Sequence, residues 1–109
     1  MPERSEREAA YFALLRARDE LSDLRRYAEH LDDELRRLRR SEREEAALRA
    51  TVSGRVRRVL RASDAELADV MDRRAALIED ERLRLPPRIE AAEAFVTECE
   101  RNHDVLGGA

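Results

Sequence analysis

The sequence predicts an all-α protein. Its expected form is a long N-terminal coiled-coil helix, followed by a C-terminal helical hairpin packed into a small helical bundle. Three observations carry this. Ala, Leu, Glu and Arg dominate the 109 residues, and these side chains lose little rotamer freedom in a helix. No stretch alternates apolar and polar with period two, and no Asn-Gly or Asp-Gly turn occurs, so strands have no signal. Finally, Leu14, Leu21, Ala28 and Leu35 recur every seven residues, with Ala10, Ala17, Leu24, Leu31 and Leu38 three residues on from that series. Such spacing keeps apolar side chains on one stripe of a helix underwound to 3.5 residues per turn.

In chain order, Ser5 and Glu8 have the Ser-x-x-Glu spacing of a capping box, which satisfies orphan amides of a first turn. Neither Gly nor Pro interrupts the helix before Arg40, a length of roughly 50 Å. A helix that long is expected to need another copy to cover its seam. Leu14, Leu21, Leu24, Leu31, Leu35 and Leu38 are therefore the candidate oligomerisation residues of a homodimer. On this register Glu20 and Glu34 occupy position g, and Arg18, Arg25 and Arg39 position e. Pairing g with the next e favours a parallel dimer, with an antiparallel dimer as the alternative.

At Ser41 the pattern changes, and the helix either bends there or continues with a slipped register. The seam would next receive Glu42, Glu45 and Arg49, and Ser41 with Glu44 forms a second capping box. The expected organisation is a dimerisation helix over 1–40 and a three-helix bundle with a short tail over 41–109. Leu48, Val52, Val56, Val59 and Leu60 form a new stripe containing Gly54, which marks a bend or a close approach. Ser63 and Glu66 suggest a fresh helix start, with an apolar face of Leu67, Val70, Met71, Leu77 and Ile78. That helix should stop before Pro86, and Pro87 should open the last one. The last helix would bury Ile89, Ala92, Phe95, Val96, Cys99 and His103, and end at Gly107 and Gly108.

Three segments offer partner chemistry. Tyr11, Phe12 and Leu15 belong to the apolar run Ala9–Leu15. Phe12 and Leu15 fall outside the seam, where an exposed apolar patch marks a binding surface. Arg49, Arg55, Arg57, Arg58 and Arg61 lie in a stretch without any acid. They are candidate nucleic-acid contacts, although no aromatic is interleaved for base stacking. The competing reading lays this stretch against the acidic 64–104 region. Cys99 and His103, four apart, share a helix face but lack further ligands, so a core thiol beside an imidazole is expected and no metal site.

Function classes narrow accordingly. Three glycines cannot form a phosphate loop, and no Ser, His and Asp are spaced as a triad. No enzyme activity and no cofactor are expected. All 22 basic residues are arginine, yet net charge is −3, against wholesale nucleic-acid binding. A single cysteine and no long apolar run point to a reducing, cytoplasmic setting without a membrane span. The expected function is a self-associating helical adaptor or scaffold for a protein partner; the alternative is a nucleic-acid-associated regulator using the 49–61 arginines.

Overall fold

The computed structural model describes residues 3–107, apart from the Ala62 side chain. Among the described residues it is all-α, with two helices, α1 (Arg4–Thr51) and α2 (Gly54–Gly107), and no strand. The helices are longer and fewer than the capping signals imply. Gly108, expected to help end the last helix, lies outside the described residues.

Helix α1 starts at Arg4, one residue before the expected box. The Glu3 carbonyl accepts from the amides of Glu6 and Arg7 at 3.1 and 3.2 Å, while the Glu8 carboxylate takes the Arg4 guanidinium at 3.0 Å. Ser5 is thus inside the helix and does not cap it. At Ser41 the helix runs on without a break. The seam keeps its register through Glu42, Glu45 and Arg49, all half-buried. Arg49 tolerates that position because it links Glu45 on its own helix (3.6 Å) to Asp64 on α2 (3.9 Å). Pairing offsets part of the desolvation cost of a charge at a seam, and the remaining solvent exposure of Arg49 keeps that cost small.

The chain reverses at Val52 and Ser53. The Thr51 hydroxyl donates back to the Leu48 carbonyl at 2.7 Å, and the Val52 amide to the Arg49 carbonyl at 3.4 Å. Ser53 then caps α2: its hydroxyl accepts from the Val56 amide and its carbonyl from the Arg57 amide. Gly54 thus stands at the bend that its presence suggested. Ser63 and Glu66 start no helix, because nothing between Arg55 and Leu85 interrupts α2.

Nor does α2 stop at Pro86. Both Pro86 and Pro87 lie within it, so two successive backbone bonds, to the carbonyls of Arg82 and Leu83, cannot form. Tertiary burial overrides this local preference: Leu85, immediately before the pair, is the most buried large side chain, 2% exposed. The expected three-helix bundle over 41–109 therefore contains only two helical segments, the end of α1 and the whole of α2.

Two compact units divide the chain. One joins residues 1–29 to 84–109, and the other is residues 30–83. In the first, Leu14, Ala17 and Leu21 of α1 form a buried cluster with Val96 and Cys99 of α2, with Ile89 and Ala92 packed against it. Arg18 pairs with Glu100 and Arg25 with Glu93, so the two segments run antiparallel. In the second unit, Leu31, Leu35 and Ile78 are buried. Arg39 meets Glu79 at 3.2 Å, Asp32 meets Arg82 at 2.7 Å and Glu34 meets Arg74 at 3.2 Å, again antiparallel.

These contacts correct the account of the seam. Leu14, Leu21, Leu31 and Leu35 are buried, and Leu24 and Leu38 half-buried, within the single chain. Helix α2 supplies its own seven-residue repeat, through Ala68, Met71, Ala75, Ile78, Leu85, Ile89, Ala92, Val96 and Cys99, with the exposed Arg82 at the one position that is not apolar. Position-e arginines, assigned to a partner's glutamates, pair instead with glutamates of α2.

Candidate partner-binding surfaces

With the seam filled, what remains exposed decides the candidate sites. Tyr11 and Phe12 are 47% and 57% exposed, and Leu15 stands at the edge of exposure. Their positions follow from α1's register: Leu14 and Ala17 face α2, which turns Phe12 and Leu15 outward. The two rings meet edge to face at 5.6 Å, an arrangement that favours the positive ring edge over the negative face. Across the seam, the His103 ring lies 5.9 Å from Tyr11. Arg4, Arg7, Glu8, Tyr11 and Phe12 line an open groove of about 510 Å³. The patch is therefore apolar, rigidly mounted on one helix and rimmed by charge.

His103 is only half-buried and sits beside Tyr11 and Asp104. Cys99 is a free, buried thiol of the Leu14 cluster. Among the described residues no group of three or more His, Cys, Asp or Glu side chains is placed to hold a metal, and no helix is long and apolar enough to cross a membrane.

A second candidate site lies at the α1–α2 turn. Arg55, Arg57, Arg58 and Arg61 are exposed and Arg49 is half-buried. Arg49, Arg57, Arg61, Asp64, Ala65 and Ala68 line a groove of about 300 Å³. Arg57 donates to the Val52 carbonyl at 3.1 Å. Of the five arginines, only Arg49 meets an acid of α2 among the described residues. The stretch as a whole thus does not lie against the acidic region, because α2's register turns most of it to solvent.

One surface escaped the sequence. Leu67, Val70 and Leu77 were expected inside, but the seam takes Met71, Ala75 and Ile78. Val56, Leu60, Leu67, Val70 and Leu77 are all left exposed, Leu77 to 70%. A helix carrying two apolar stripes does not show in any short segment of its sequence which one is buried. The signal lay in the seven-residue spacing of Met71, Ile78, Leu85, Ala92 and Cys99, visible only once Pro86 is read as helical. Tyr27 and Phe95 are likewise exposed. Phe95, expected in the core, is displaced because Val96 occupies the seam.

Comparison of the chain with protein-family models, curated proteins and solved structures finds no match.

Proposed function

We propose that this chain is a non-enzymatic helical adaptor that binds a protein partner through Tyr11, Phe12 and Leu15. The supporting observation is the exposed edge-to-face pair Tyr11–Phe12 on a helix whose opposite face is locked by the Leu14 cluster. Aromatic side chains presented this way supply large contact area at small entropic cost, and so anchor interfaces. With the seam filled by α2, pairing of copies uses other surfaces.

The test compares wild type with a Phe12→Ala, Leu15→Ala variant in affinity capture, followed by titration of the captured protein. Both side chains are exposed, so helicity and melting temperature should stay unchanged while binding falls at least about tenfold, in line with loss of an aromatic anchor. Equal binding by both proteins contradicts the proposal.

The arginine-lined groove supports a second reading, a nucleic-acid-associated regulator. Its arginines suit phosphate contacts. It ranks lower because Val56, Val59 and Leu60, all exposed, interrupt them and no aromatic stands among them. It requires steeply salt-dependent DNA or RNA binding that disappears when Arg55, Arg57, Arg58 and Arg61 become Ala. Flat titrations at low salt remove it.

A further inference from the structure

The exposed stripe of α2 has a symmetry that the seam lacks. Val56, Leu60, Ser63, Leu67 and Val70 follow one another at intervals of four, three, four and three residues. Read backwards from Ser63, the stripe meets the same side chains as forwards: leucine first, valine next. Val56, Leu60, Leu67 and Val70 are all exposed large aliphatics, and the one small residue, Ser63, sits at the centre.

The charges show the opposite symmetry about the same point. Arg55, Arg57, Arg58 and Arg61 precede Ser63 with no acid among them. Asp64, Glu66, Asp69 and Asp72 follow it with no arginine among them. A surface that is apolar in a palindrome and charged in an inverted one is complementary to itself after a half-turn. This is the requirement for an isologous interface.

We infer that two copies of this chain pair antiparallel through the Val56–Val70 stripe of α2, with a two-fold axis beside Ser63. The leucines at 60 and 67 of one copy meet those at 67 and 60 of the other. Ser63 lets the backbones approach closely at the crossing. Arg55 and Arg57 of each copy lie level with the acidic stretch around Asp69 of the other. In the single chain Asp69 is already held by Arg73, so the pairing adds a second guanidinium to an existing ion pair. Like-charge repulsion works against a parallel arrangement, which would set arginine against arginine. The proposal deepens the adaptor reading, since a dimer carries two Tyr11–Phe12 patches and gains avidity. It rests on that reading for its purpose alone.

Sedimentation equilibrium of the full chain tests the pairing. Wild type should be dimeric, and Leu60→Glu with Leu67→Glu should give a monomer of unchanged helicity, because both side chains are exposed. Arg55→Asp and Asp69→Arg should each weaken the dimer by roughly tenfold or more, and their combination should recover most of the loss. In a Cys99→Ala background, checked for helicity, Ser63→Cys should crosslink to itself on oxidation, since a disulfide needs Cα atoms within about 7 Å. Ala76→Cys, roughly 20 Å further along the helix, should not. A wild type that stays monomeric overturns the inference, as does a dimer indifferent to both leucines. So does a monomer whose 55–61 arginines instead bind duplex DNA or phosphatidylserine vesicles. Capture of a partner by the Leu60→Glu, Leu67→Glu variant would show the adaptor reading surviving without the dimer.

Discussion

The Arg39 guanidinium lies 3.2 Å from the Glu79 carboxylate, each at the position flanking its own helix's seam. The same relation joins Arg25 to Glu93 and Arg18 to Glu100. Both members of the Arg39 pair are more than half exposed, so the contact contributes at most about 1 kcal/mol. Its effect is to select the antiparallel register. Arg39→Glu and Glu79→Arg should each lower stability slightly in urea titrations, and the double reversal should restore it. A double variant less stable than both singles would show that the pair has no part in the register.

Burial separates two leucines of α2 that look equivalent in sequence. Leu85→Ala should cost on the order of 2–5 kcal/mol through lost burial and a residual cavity. Leu77→Ala should cost no more than about 0.5 kcal/mol, the usual range for a solvent-facing substitution. Chemical denaturation of the two variants side by side checks the difference.

The prolines make a prediction of opposite sign. Pro86→Ala restores a backbone bond to the Arg82 carbonyl and removes a ring clash. It should stabilise the chain by on the order of 2 kcal/mol, after allowing for the freer unfolded chain. A loss of stability would mean that α2 does not run through Pro86.

The seam leucines carry a prediction of their own. Leu24→Glu with Leu31→Glu should unfold the chain, as judged by lost circular dichroism at 222 nm. A folded, fully helical monomer carrying both changes would place those residues outside the core.

Helix content and the α1 seam were legible in sequence because the seven-residue leucine repeat is a local signal, and Leu14, Leu21, Leu31 and Leu35 are indeed the buried ones. What covers them was not legible. The repeat specifies a stripe and leaves open whether the facing stripe belongs to the same chain. Helix ends were misread for a related reason. Ser63 and Pro86 each carry a local start or stop preference of about 1–3 kcal/mol, and burial of neighbouring side chains such as Ile78 and Leu85 outweighs it. At the candidate sites, the register placed Phe12 and Leu15 outward correctly. The second stripe of α2 could not be assigned to solvent, because only α1's position decides which of two apolar faces is covered.

The most direct test of the account is whether α1 and α2 of one chain pair with each other. Spin labels at positions 18 and 100 of a single chain, in a Cys99→Ala background, report their separation by pulsed electron resonance. The account predicts a short distance, as expected for helices about 10 Å apart, that persists when labelled protein is diluted into a large excess of unlabelled protein. Disappearance of that distance on dilution would mean that the seam is filled by another copy, and would contradict it.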